Sequence, residues 1–75
     1  MSVFDLSMGD SGYIKSCNLT ASASARLTSL GITVGKKITV LSFSLFRGSV
    51  LIGCGAVRVG IRASLAKNIE VEKCV

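Results

Sequence analysis

Two nearby glycines, Gly31 and Gly35, constrain the fold of this sequence more than any other feature. They close the stretch Arg26-Leu27-Thr28-Ser29-Leu30-Gly31-Ile32-Thr33-Val34-Gly35, which runs directly into Lys36-Lys37-Ile38-Thr39-Val40. Upstream, Ala23, Leu27 and Leu30 recur at i, i+4 and i+7 and predict an apolar helical stripe. Ser22, Arg26 and Ser29 form a polar stripe beside it, so a helix is expected over about 21–30. Thr20 or Ser22 supplies an N-cap oxygen. Gly31 falls where a helix needs a left-handed C′ residue, and glycine takes positive φ without strain. Ile32 is then placed to fold back on Leu27. Val34-Gly35 suits the centre of a type II turn, whose third residue also needs positive φ. A helix that stops, turns and becomes a strand without a linker belongs to a small mixed domain.

Period-two alternation dominates the rest. Tyr13 to Cys17 reads as a short strand after an Asp10-Ser11-Gly12 turn, while residues 1–9 carry few signals. Ile38 and Val40 alternate with Lys37 and Thr39. Phe43, Leu45 and Phe46 precede Arg47-Gly48-Ser49, a hairpin-turn signal. Val50, Ile52 and Cys54 alternate next, with Gly53 and Gly55 marking a bulge or bend. Val57, Val59 and Ile61 alternate with Arg58, Gly60 and Arg62; one helical turn follows at about 63–67, then a strand through Ile69 and Val71. About five short strands in 75 residues are too few for two packed sheets. The expectation is a mostly β fold, a single domain over 1–75 curled into a small barrel that removes sheet edges.

Composition narrows the function. The chain is 49% hydrophobic and only 17% charged, which excludes a disordered tail and leaves apolar surface for a partner. The net charge of +5 is scattered, with only Lys36-Lys37 adjacent, so no basic run marks a nucleic-acid tail. Three cysteines, Cys17, Cys54 and Cys74, lack the short spacing of a zinc knuckle. No leader pattern is visible, and no apolar stretch approaches the ~20 residues of a membrane-spanning helix, so a cytoplasmic protein is expected.

No histidine is present, which removes the commonest general base and metal ligand. The glycines form no phosphate-binding loop. Glu70 and Glu72 share a strand face but read as a solvated edge beside Lys73. These residues point away from an enzyme. Two features point to binding. Leu45, Phe46 and Arg47 lie at a turn where a small barrel has little core to hide apolar side chains. Arg26 lies on the polar helix face and suits an acidic surface.

The ordered set Gly12-Tyr13-Ile14, Arg26-Leu27-x-x-Leu30-Gly31-Ile32, Gly35, Phe46-Arg47-Gly48-Ser49-Val50, Val57-Arg58-Val59-Gly60-Ile61 and Ala66-x-x-Ile69-x-Val71 resembles the ferrous iron transport protein A (FeoA) family across nearly the whole chain. The resemblance implies an SH3-like β-barrel and a cytoplasmic accessory of bacterial ferrous iron uptake. Its implied partner is the FeoB permease, with its cytosolic GTP-binding domain and position at the inner face of the membrane. No catalytic residue and no required cofactor come with it. Fe²⁺ or Zn²⁺ binding and homo-oligomerisation stay open, because no ligand motif carries over. One departure is Val34, where the family usually has proline. Two alternatives stand beside this reading. A small basic nucleic-acid-binding barrel would interleave aromatic and basic residues on one strand, which this chain does not do. A transition-metal sensor or chaperone would use the cysteines and carboxylates and reveal itself by metal titration.

Overall fold

A computed structural model describes residues 1–74 of the protein; Val75, the last residue of the expected domain, lies outside them. Five strands form one antiparallel sheet in the order β4-β3-β2-β1-β5. They are β1 (Ser11–Cys17), β2 (Lys37–Phe43), β3 (Ser49–Cys54), β4 (Val57–Arg62) and β5 (Ile69–Lys73). Helix α1 (Ala21–Ser29) lies between β1 and β2, and the single turn α2 (Ala63–Ala66) links β4 to β5.

The glycine-marked corner closes α1 through backbone geometry. Thr20 caps its N-terminus, its Oγ1 accepting the Ala23 N–H at 3.3 Å. At the other end Leu30 is the last αR residue and Gly31 takes φ 85°. The Ile32 N–H then donates to the Leu27 carbonyl at 2.9 Å and the Gly31 N–H to that of Thr28 at 2.9 Å. This pair of bonds is a Schellman motif, and both Leu27 and Ile32 are buried in the core. Gly35 takes φ 91°, and the Lys36 N–H reaches back to the Thr33 carbonyl at 3.1 Å. Its own N–H donates to Ile14 of β1 at 2.8 Å, which aims the chain into β2.

Inward side chains of the curled sheet meet those of α1, α2 and the N-terminal segment. Ile14, Ile38, Val40, Val50, Ile52, Ile61, Ile69 and Val71 are all buried, and no polar or charged residue is buried among the described residues. Each such aliphatic side chain contributes ~1.5–3 kcal/mol by leaving water. Irregularities between Ile14 and Ser16 and between Val40 and Ser42 bend the sheet.

Four details differ from the sequence reading. Residues 1–9 are part of the core: a 3₁₀ turn at Val3–Asp5 buries Val3 and Leu6 completely. The first turn is Ser7–Asp10, with Gly9 at φ 90°, whereas Ser11 and Gly12 already belong to β1. Gly12 is needed for close approach, since a Cβ there would sit 3.0 Å from the Glu72 carbonyl oxygen. Gly53 lies in regular register, and Gly55 alone makes the bend, at φ 62° in the two-residue β3–β4 loop. Finally, the barrel does not abolish every edge. Among the described residues β4 pairs only with β3, because α2 intervenes before β5.

Candidate protein-interaction site

The β2–β3 connection, Ser44–Gly48, is where the backbone departs furthest from low-energy geometry. Phe46 (φ 62°) and Arg47 (φ 55°) are left-handed, while Gly48 has φ −71°. The hairpin signal therefore falls at the right place, but the wrong residues carry the turn. Left-handed conformations cost a non-glycine residue ~1–2 kcal/mol each, so the surroundings must hold them.

Local contacts provide that hold. The Ser44 Oγ accepts the Ser49 N–H at 2.8 Å, and the Ser44 carbonyl accepts the Arg47 N–H at 2.8 Å. The Gly48 carbonyl accepts the Ala63 N–H at 3.0 Å, tying the loop to α2. Arg47 folds back onto the protein, its guanidinium carbon 4.1 Å from the Phe43 ring centroid and 4.8 Å from that of Phe4. Its Nη2 donates to the Phe4 carbonyl at 3.0 Å. The two rings meet edge to face at 5.7 Å, and Lys67 Nζ lies 5.4 Å from the Phe4 ring. Beside this cluster, hydrogen bonds from the Ser2 backbone and hydroxyl hold the Asp5 carboxyl below its ordinary range; the N-terminal ammonium and Arg47 add to the effect.

The outcome is a braced loop that turns two large apolar side chains outward. Leu45 is 83% exposed and Phe46 93%. Of the expected site residues, Leu45, Phe46 and Arg47 thus come together, with Arg47 spent on support. Arg26 is apart from them, on the exposed face of α1 and at the rim of a groove between α1, β4 and α2 that none of the three lines. Sequence reasoning missed Phe4 and Phe43 as the platform for Arg47; an arginine shortly after a strand-end phenylalanine was the available signal.

The carboxylates are already engaged. Met1 N–Glu70 (3.1 Å), Lys15–Glu72 (3.1 Å) and Lys73–Asp10 (3.4 Å) are surface ion pairs, so Lys73 balances Asp10 rather than a neighbouring glutamate. Asp10 is held below its ordinary value mainly by the Ser7 N–H. The three cysteines are free, and burial pushes the Cys17 thiol up. Among the described residues no three cysteine or carboxylate side chains are grouped to hold a metal ion. No helix among them is long and apolar enough to cross a membrane.

The strand order, the helix inserted between β1 and β2 and the braced loop define a small SH3-like barrel. Residues 1–73 match the FeoA domain, and the chain belongs to that family. A FeoA protein from Chlorobium tepidum, solved by NMR, superposes with a TM-score of 0.96 at 25% identity, covering 100% of this chain and 71% of that one. The crystal structure of an iron uptake regulatory protein (FeoA) shares 30% identity at a TM-score of 0.83, over 99% of this chain and 96% of that one. Stenotrophomonas maltophilia FeoA, crystallised with zinc and described as an SH3 domain protein and candidate ferrous iron transport activating factor, shares 25% identity at a TM-score of 0.81 over 96% of this chain and 89% of that one. No curated protein matches significantly.

Proposed function

We propose that this protein is a cytoplasmic, non-enzymatic accessory of bacterial ferrous iron uptake that binds the cytosolic part of a FeoB-type permease and regulates it by protein–protein contact. The observation that carries this reading is the exposure of Leu45 and Phe46 on a loop braced in a costly conformation. An unpartnered leucine and phenylalanine each offer ~1.5–3 kcal/mol of burial to a complementary pocket. Because Arg47 already fixes the loop, little further ordering opposes association. Family membership supplies the iron-transport context.

The test is co-purification with the cytosolic part of the permease. Leu45→Asp combined with Phe46→Asp should leave the fold intact, since both side chains are exposed and aspartate tolerates the left-handed backbone of position 46 better than phenylalanine. Binding should weaken at least ~10-fold. A folded double variant that binds as tightly as the wild type refutes the proposed contact.

A further inference from the structure

We infer that the free edge of β4, with the groove between it and α1, takes an extended acidic segment of a partner protein as an additional strand. This is a second surface, independent of the Leu45–Phe46 loop and of any role in iron uptake.

Hydrogen-bond parity makes the edge available. The two-residue loop Gly55-Ala56 closes on the Cys54–Val57 pair, and antiparallel ladders alternate from there. Val57, Val59 and Ile61 therefore direct their N–H and C=O groups to β3. Arg58 and Gly60 direct theirs outward, as does the Arg62 N–H. No other backbone group in the described residues satisfies them. The opposite edge of the sheet is treated differently: Ser2 bridges Glu70, and the Val71 N–H donates to the Met1 carbonyl at 2.8 Å. One edge is thus covered while the other is left open. Gly60, midway along the edge, carries no side chain beside its outward N–H and C=O groups.

The side chains specify what fits. A groove of about 610 Å³ runs beside the edge, with Leu27, Leu30, Ile61 and Leu65 in its floor and Arg26 and Arg62 at its rim. No carboxylate lines it. The chain's own four, Asp5, Asp10, Glu70 and Glu72, are held by Ser2, Lys73, the N-terminus and Lys15. Arg58 and Arg62 are exposed on one strand face, and Val59 and Ile61 face the other way. A docked strand would therefore place carboxylates opposite the arginines and apolar side chains opposite Val59 and Ile61. A second copy of the chain fits badly. Pairing β4 with itself about Gly60 would set Arg58 against Arg62 at both ends, and like charges directly opposite are destabilising.

The experiment uses the full chain labelled for NMR and a peptide with Glu-Val-Thr-Val-Glu flanked by threonines. Binding should slow amide exchange at Arg58, Gly60 and Arg62. Replacing the glutamates by lysine should abolish it, and Arg58→Glu with Arg62→Glu should weaken it ~10-fold or more. Gly60→Pro removes an outward N–H that β3 does not use, so it should prevent binding while the domain stays folded. If that variant does not fold, N-methylation of the central peptide threonine, whose N–H faces the Gly60 carbonyl in the antiparallel pairing, blocks the ladder from the ligand side. Equal binding by the lysine peptide, unchanged exchange at the three amides, retention of affinity by the methylated peptide, or a dimer joined through β4 in sedimentation would each overturn the proposal.

Discussion

The α1–β2 corner and the β2–β3 loop solve the same backbone problem with opposite residues. Each needs two left-handed positions. The corner uses Gly31 and Gly35, and its neighbouring side chains Leu27 and Ile32 turn inward to the core. The loop uses Phe46 and Arg47, although glycine is available next door at position 48. Glycine there would have been cheaper to fold. What the loop keeps instead is a phenylalanine held in water and an arginine laid across two rings. Strain is accepted at the solvent-facing loop and avoided at the structural corner, which is the pattern expected if the loop makes the proposed contact and the corner serves architecture.

The sharpest way to break this contrast is to attack the corner. Ile32→Ala removes a fully buried side chain at the Schellman contact and should cost ~2–5 kcal/mol, read from denaturant unfolding. A loss below ~1 kcal/mol would mean that the corner does not organise the core. A matched exchange comes next. Gly31→Ala meets no steric obstacle, so its expected cost of ~1–2 kcal/mol comes from φ alone. Phe46→Gly should be neutral or stabilising by up to ~1 kcal/mol, because it relieves the strain while losing an almost fully exposed side chain. Equal destabilisation by both exchanges would erase the distinction. The smallest effect is in acid. Asp5, beside the braced loop, and Asp10, at the first turn, have folded-state pKa values below their ordinary 3.8. Each therefore contributes stability that is present above about 3.8 and lost as pH falls through its lower folded value. Asp5→Asn should flatten the acid limb of thermal stability; an unchanged limb would mean that the Ser2 hydrogen bonds to that carboxylate do not stabilise the fold.

The corner was legible in the sequence because helix spacing, glycine and the following apolar residue all speak at short range. Ile38, Val40, Val50, Ile52, Ile69 and Val71 announced their burial through alternation in the same way. The N-terminal segment was not legible, since Val3 and Leu6 follow no period and are buried only by what the sheet brings over them. Nor was the brace on Arg47, which depends on Phe4 arriving from the far end of the sequence. The open β4 edge escaped notice for a related reason: pairing is a property of the assembled sheet, and alternation in Val57–Arg62 says nothing about which side lacks a neighbour.

The pairing of β1 with β5 has a kinetic consequence. During synthesis β1 leaves the ribosome long before the strand that will lie against Tyr13 and Ile14 exists. Helix α1 and the β2–β3–β4 meander have local partners and can form as they emerge, but β1 must wait with one side unpaired until Ile69–Lys73 has been made. Closure by such a distant contact carries a loop-entropy barrier, so the final docking of β5 should limit the folding rate. Until then the nascent chain exposes an aggregation-prone strand edge that the finished molecule conceals.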